Sequence, residues 1–388
     1  MVIATLAVTT TIGYGILYYA FSALLEPMRT DLRLSTTTAT GALTTSVLVS
    51  AAMAVPVGRW LDTRGGYGVM TVGSALATVA VLAWSQVQTA TQLYGVFVLI
   101  GAASAMVLYQ PAFAVIVAIT APARRANAIL SITLVAGFAS SIFIPLAGQL
   151  IHALGWRHAV LVLAVFVGLT IPLHGISLRG TRPTAAVTHQ GSTRSPARVL
   201  RDPGFWLIAC AFVLHNAALA VIAVHLVTYL VQLGHKPTVA AGLTGLLGVL
   251  SVTGRIVTTV AKRWLSITLI TAAVMTLQGV AIGMLPFIGR SIIGAATSLI
   301  LFGLGFGVAS VATPAILLDR YGDEGYATIS GILGTPTTVG RATAPLIAAA
   351  LAVAVGYQPL ILGSAVTCLV SAVALALTRS TAQSPQPA

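Results

Sequence analysis

The 388-residue sequence predicts an all-α membrane protein, with twelve transmembrane helices in two pseudo-symmetric six-helix bundles. Three observations carry the prediction. Hydrophobic residues make up 57% of the chain and charged residues 7%, with a mean hydropathy of +0.98. A soluble domain carries about 25% charged residues, so this chain could not cover itself with polar surface. Second, apolar runs of the ~20 residues that cross a bilayer's hydrocarbon recur along the chain. Third, proline and glycine landmarks of the first half return in order in the second.

The runs lie near residues 2–25, 38–60, 67–86, 92–118, 127–152, 157–178, 203–233, 238–261, 265–286, 291–317, 325–354 and 356–378. The first lacks a basic leader and is too long for a signal-peptide core, so it is read as a span. Between the sixth and seventh lies "LRGTRPTAAVTHQGSTRSPARVLRD", rich in Arg, Thr, Ser and Pro, a linker composition. The expected organisation is a bundle at 1–178, a cytoplasmic linker at 179–202, a bundle at 203–378 and a cytoplasmic tail at 379–388. Span four reaches "QPAFAV" and span ten "TPAILL"; span five carries "PLAGQLIHALGWR" and span eleven "PLIAAALAVAVGYQP". Pro111 to Pro145 is 34 residues and Pro314 to Pro345 is 31. Six-plus-six parallel halves are one repeat plan of secondary transporters.

The net charge of +13 comes from 20 basic residues against 7 acids. No basic stripe with interleaved aromatics accompanies it, which sets nucleic acid aside. With the N-terminus inside, thirteen basic residues fall in inner breaks and tail and five in outer ones. Such a bias places both termini in the cytoplasm and the chain in the cytoplasmic membrane. Cys210 and Cys368 sit inside apolar runs and are expected as small core residues, with no disulfide or metal spacing. "GFGVAS" lacks the strand-then-helix setting of a nucleotide loop, and no P-loop, catalytic triad or metal box occurs. The expectation is therefore no enzyme, no cofactor, and a monomer in contact with membrane lipid.

Charge gathers at "PVGRWLDTRGG", residues 56–66, expected on the turn between spans two and three. Gly58 would let two helix backbones approach closely. Asp62 can accept hydrogen bonds from basic groups or from a neighbouring helix N-terminus. Gly58, Asp62, Arg64 and Gly65 resemble the loop signature of the major facilitator superfamily, although Thr63 stands where that family usually has Arg and a second basic residue near Tyr67 is missing. The resemblance implies an alternating-access transporter whose inner gate uses Gly58, Asp62 and Arg64. The corresponding stretch of the second half, "TTVAKRWL", has no acid, so the lock is expected in one half only.

Arg255, in "LSVTGRIVTTVAKR" of span eight, and Arg341, in "GTPTTVGRATAPL" of span eleven, fall inside spans, where an ionisable group signals function. No Asp or Glu falls inside any expected span, so an anionic substrate would supply the counter-charge. Thr244, Gly248, Ser251 and Arg255 share one helical face, as do Gly331, Gly334, Thr338, Arg341 and Pro345. Small polar faces suit a water-filled cavity, and guanidinium matches carboxylate by a two-point fork. The competing reading is that both arginines bond carbonyls freed at helix breaks. The "GR" of span eight resembles oxalate:formate antiporters and monocarboxylate porters, and "GYGILYYAF" of span one resembles bacterial members of that branch. The resemblance implies that Arg255 binds a substrate carboxylate and that Arg341 matches a second basic residue by span. Ser251 stands where proton-coupled members carry an acid.

Thr11, Tyr14, Tyr18 and Ser22 share a face of span one, and Tyr14 and Tyr18 could line the cavity or simply pack. Tyr109 and Gln110 precede Pro111, where span four should bend. His215 and Asn216 lie well inside span seven, and His215 is a proton-coupling candidate or a structural histidine. Gly242, Gly245 and Gly248, and Gly303, Gly305 and Gly307, read as close helix packing. Together these residues predict a carrier of a small mono- or dicarboxylate with its site near mid-membrane. A coupled proton and a counter-anion both stay open. The alternative is a drug or other small-molecule exporter on the same fold, disfavoured because "FIPLAGQL" does not meet the fifth-span signature of drug:proton antiporters.

Overall fold

The computed structural model describes residues 1–180 and 196–378. Eleven helices among them are long and apolar enough to cross a membrane. They are α1 (Val2–Asp31), α2 (Thr36–Arg64), α3 (Gly66–Ser85), α4 (Ala90–Ile119), α5 (Pro122–Leu154), α6 (Trp156–Ser177), α7 (Pro203–Gln232), α8 (Pro237–Ala261), α9 (Ile267–Ile288), α11 (Tyr326–Val355) and α12 (Tyr357–Leu377). The expected tenth span is instead two shorter helices, α10a (Ile292–Gly303) and α10b (Ala309–Tyr321), joined by turns. The chain is thus an all-α, multi-pass membrane protein, with no strand among the described residues. A helix satisfies its own backbone polar groups, which the hydrocarbon cannot do.

Polar side chains start several helices by accepting an otherwise orphaned N–H. Ser35 accepts from Thr38 N at 3.0 Å, Asp202 from Gly204 N at 2.8 Å and Ser291 from Gly294 N at 3.0 Å. Gly65, Gly155 and Gly356 join α2 to α3, α5 to α6 and α11 to α12 at φ of 74°, 77° and 83°. This left-handed backbone favours glycine and lets one residue make the turn.

Two compact units divide the residues: Met1–Thr193 with Gly322–Thr335, and Arg194–Tyr321 with Pro336–Ala388. The division runs through α11, between Thr335 and Pro336. In the first unit α3 packs on α6, α2 on α4, α3 on α4 and α1 on α6. In the second, α9 packs on α12, α8 on α10a, α9 on α10a and α7 on α12. Adding six to each helix number of the first set yields the second. Phe21, Trp84 and Phe97 form an aromatic core in the first unit, with centroids 5.0–6.3 Å apart. Phe302, Ile222, Leu226, Leu285 and Leu299 belong to an apolar core in the second.

Several boundaries depart from expectation. Residues 58–64 are not on a turn; α2 continues through Arg64 and only Gly65 breaks it. Helix α1 runs on to Asp31, so Glu26 and Asp31 fall in its last turns, where Arg29 (2.6 Å) and Arg157 (2.9 Å) pair with them. Their place at the helix end keeps these acids clear of the hydrocarbon core. Cys368 is buried, but Cys210 is exposed on α7, where a small apolar side chain needs no core to shelter in. Gly242, Gly245 and Gly248 have no neighbour within packing distance, so they serve no close approach, whereas Gly303, Gly305 and Gly307 do. The expected tail lies outside the described residues, as do residues 181–195 of the linker.

Candidate functional site

In the first unit, the Asp62 carboxylate sits at the N-terminus of α11. Ala327 N donates to Oδ1 at 3.0 Å and Thr328 N to Oδ2 at 2.8 Å, with the Thr328 hydroxyl at 2.5 Å. Three donors from one helix start, plus the positive end of its dipole, fit a carboxylate. Gly58, one turn earlier, makes the contact geometrically feasible: a Cβ there would overlap the Ala327 carbonyl and Thr328 Cα. The approach continues along α2, with Gly331 against the Ala54 backbone and the Thr335 hydroxyl donating to Ala51 O at 2.8 Å. Arg125 pairs with Asp323 at 2.8 Å, just before α11. Arg64 is exposed and its guanidinium lies 5.9 Å from the Trp60 ring centroid. Gly331 thus packs α11 against α2, and Gly334 lies against the Gln110 amide.

The tyrosines of α1 adopt a different register from the expected one. Gly15–Tyr19 forms a π-helical turn, which inserts a residue and rotates the remainder of the helix. Tyr14 lies tilted against Tyr19 (6.5 Å) and Tyr109 (4.6 Å), while Tyr18 meets Tyr19 edge-on at 5.1 Å. Ser22 is exposed and bonds the Tyr19 carbonyl. Helix α4 bends where the sequence indicates: Leu108 adopts an extended ψ of −155°, three residues before Pro111. Proline's missing N–H leaves the carbonyl four residues earlier without its helical partner. Tyr109 and Gln110 are half-buried directly after this bend.

In the second unit, the polar groups converge on the turns at 304–308 that join α10a to α10b. Gly254 brings α8 against the Leu304 carbonyl. The next residue, Arg255, donates from Nε to Gly307 O at 3.4 Å, with buried Ser251 beside it. On the other side, Gln278 of α9 donates from Nε2 to Phe302 O at 3.0 Å, and its Oε1 lies 2.7 Å from His215 Nε2. A Cβ at Gly305 would overlap Gln278. His215 is 1% exposed and Gln278 0%. Asn216 turns back on the Phe212 carbonyl of its own helix. Arg341 is exposed on α11, one residue after Gly340, which packs near Val213 of α7.

Sequence reasoning missed two polar centres. Gln278 lay unremarked in an apolar run, though a lone amide inside a span is itself a signal. His174, 1% exposed, ties three helices of the first unit: Nδ1 lies 2.8 Å from Ser74 Oγ and Nε2 2.9 Å from Thr9 Oγ1. At the start of α7, Asp202 accepts from the Tyr321 hydroxyl (2.9 Å) and Arg320 Nε (3.3 Å), and Arg320 also donates to Thr378 O at 2.7 Å. Burial works to raise the Asp202 carboxyl. The bonds from Gly204 N–H, Tyr321 and Arg320 outweigh it and hold the group below its ordinary value.

Comparison with known proteins yields matches that include a family model, a relative and three solved structures. A family model described as Major Facilitator Superfamily matches residues 6–342. Monocarboxylate transporter 13 of Rattus norvegicus is 26% identical over 264 residues, 66% of this chain and 59% of that protein. The chain thus spans less than two thirds of that relative's length. Among solved structures, the human organic anion transporter MFSD10 (TETRAN) superposes with a TM-score of 0.72 at 14% identity, covering 96% of this chain and 98% of that one. The outward conformation of the major facilitator transporter FucP gives 0.77 at 15% identity, over 98% and 99%. A fucose:proton symporter structure of FucP from E. coli gives 0.74 at 15%, over 98% of each chain.

Proposed function

Because the chain belongs to the Major Facilitator Superfamily, we propose that it carries a small organic anion, a mono- or dicarboxylate, across the cytoplasmic membrane by alternating access. The observation that carries this reading is Arg255. Its half-buried guanidinium sits beside the turns at 304–308, in a helix set (α7, α8, α9, α10a, α11 and α12) whose sequence contains no Asp or Glu. Interrupted helices are where transporters of several folds bind substrate. A guanidinium at such a place suits a carboxylate, which it can grip in two parallel bonds. Arg341, the other cation inside this helix set, is the second candidate contact. Tyr14, Tyr18, Tyr109 and Gln110 are further candidate contacts within the first unit; in the second, His215 is buried on Gln278 and Asn216 bonds the Phe212 carbonyl. The monocarboxylate transporter relative supports the same substrate class.

Asp62 and Gly58 serve as a cytoplasmic gate. The carboxylate holds the N-terminus of α11 against α2 in one state and releases it in another. Arg64, over Trp60, marks the membrane boundary beside it.

Uptake into proteoliposomes tests the reading. Radiolabelled lactate or oxalate is expected to enter, competed by carboxylates and not by a lipophilic cation such as tetraphenylphosphonium. Arg255→Ala should cut that uptake roughly tenfold or more, the scale of one lost charge-assisted pair. Arg255→Lys, which keeps charge but loses the fork, should fall between. Uptake of the cation alone would favour drug export instead. A thermal-shift screen with organic acids gives an independent readout, because binding raises apparent stability.

A further inference from the structure

Exposed indoles are confined to one end of the second unit. Of the five tryptophans, Trp84 and Trp156 are buried and Trp60 is half-buried, whereas Trp206 and Trp264 are 53% and 74% exposed. Trp206 lies in the first turn of α7 and Trp264 follows the end of α8, so a pair of spans that runs out and back places both at the same end. Each stands beside two cations and an exposed leucine: Arg198, Leu200 and Arg201 before Trp206, and Lys262, Arg263 and Leu265 around Trp264. An indole favours the boundary between hydrocarbon and headgroups, where its ring meets apolar groups and its N–H polar ones.

The two places differ in what is left for a ligand. The Trp206 N–H is spent on Leu200 O at 2.9 Å, and Asp202 follows Arg201 directly. At the α8–α9 turn no acid intervenes, since residues 237–288 contain none. Lys262 and Arg263 enter no ion pair among the described residues, and the Trp264 N–H meets no acceptor there. The acids at this end of the unit are Asp202, held by Arg320 and Tyr321, and Asp319, exposed on α10b. Only residues 262–266 separate Ala261 of α8 from Ile267 of α9. At no more than about 3.5 Å per residue, so short a turn stays within reach of the headgroups. Its main chain is satisfied from within: the N–H groups of Lys262, Arg263, Trp264 and Leu265 all bond carbonyls of α8 at 3.0–3.1 Å. Cations at a helix C-terminus complement its dipole, which accounts for Lys262 and Arg263. It does not account for Trp264 and Leu265, left 74% and 50% exposed beside them.

We propose that the turn Lys262–Leu265 binds an anionic phospholipid of the leaflet at this end, the one expected to face the cytoplasm. The ammonium of Lys262 and the guanidinium of Arg263 take the headgroup phosphate. The Trp264 N–H donates to a phosphate or ester oxygen, and the indole body and Leu265 lie against the upper acyl chain. Charge selects the lipid. Each Lys or Arg near an anionic surface favours it roughly five-fold. A zwitterionic lipid offers the same phosphate but brings its own cation, which Lys262 and Arg263 repel. A free phosphate would satisfy the two cations and leave Trp264 and Leu265 in water. The site goes beyond the transport reading and does not depend on the cargo.

Tryptophan emission tests the site in the full chain, reconstituted in phosphatidylcholine vesicles. Part of the lipid is replaced by phosphatidylglycerol, or by phosphatidylcholine, brominated near the headgroup end of its acyl chains, where bromine quenches an indole in contact with it. The difference between the wild type and Trp264→Phe isolates Trp264, and the difference from Trp206→Phe isolates Trp206. Brominated phosphatidylglycerol should half-quench Trp264 at a mole fraction roughly five-fold or more below that of brominated phosphatidylcholine. In the double variant Lys262→Gln/Arg263→Gln the two lipids should quench Trp264 alike, with the response of Trp206 and the melting temperature in phosphatidylcholine unchanged. Equal quenching of Trp264 by the two lipids in the wild type overturns the proposal and needs no folded variant to do so. A preference that survives the double variant overturns it as well. So does a preference lost at both indoles together, which marks general surface charge. Soluble glycerol phosphate should leave the preference intact; if it abolishes it, the turn takes a free anion and the lipid assignment fails.

Discussion

At the residue scale, two carboxylates at helix starts give the sharpest expectations. Asp62→Ala removes bonds to Ala327 N and Thr328 N and leaves the α11 start uncapped. Loss of such a cap costs about 1 kcal/mol, enough for a roughly five-fold shift between two states. The expected sign is faster reaction of a Thr335→Cys reporter with a water-soluble maleimide in the Asp62→Ala background. Asp202 makes a pH prediction. Its carboxyl is held below its ordinary value in the folded chain, so its stabilisation is complete above the usual carboxylate range. The stabilisation fades as the pH falls through the lowered value. Asp202→Asn should therefore melt below the wild type at neutral pH, and the gap should close in strong acid, as read by thermal unfolding in detergent. Both acids could be picked out from the sequence, Asp62 by its motif and Asp202 only as part of a polar linker. The partners could not: main-chain N–H groups carry no sequence signature, and Tyr321 is 119 residues from Asp202.

At the element scale, the long helices were readable because twenty apolar residues admit few other uses in a membrane. Their irregularities were not. The π turn at Gly15–Tyr19 shifts the tyrosine face by one position, and counting in steps of three and four cannot detect an inserted residue. The interruption at 304–308 follows Gly303 and contains Gly305 and Gly307, all of which read equally well as packing glycines. Both roles need the missing side chain, and only the neighbours decide between them. Glycines of α8 now separate cleanly. Gly254→Ala should clash with the Leu304 backbone, costing ~1–3 kcal/mol as an overpacked contact. Gly245→Ala, with open space around it, should be neutral or stabilise by up to about 1 kcal/mol. Thermal unfolding of the two variants side by side checks the contrast, and uptake should fail only in the first.

At the scale of the whole molecule, four helix pairings in one unit recur in the other with helix numbers raised by six. That recurrence was visible in sequence only as landmarks around Pro111 and Pro314. In the structure both landmarks come after an interruption, Leu108 in α4 and 304–308 between α10a and α10b. Prolines mark such places because each leaves a carbonyl without its helical donor. The charge asymmetry predicts orientation independently of any site. Phosphatase fused after residue 378 should be inactive in a bacterial host, and the same enzyme inserted after Leu34 should be active. The reverse pattern would turn the chain over and move Asp62 to the outer face.

Two of the three donors that Asp62 grips are main-chain N–H groups, and that choice has an evolutionary consequence. Drift at position 327 cannot delete the partner, because nineteen of the twenty amino acids bring the same N–H. Proline alone withholds it, and a helix's opening turn is where proline is best accommodated. Ala327→Pro is thus a lesion written into the backbone: it silences one donor while sparing the helix, a precision that no alteration of charge could match.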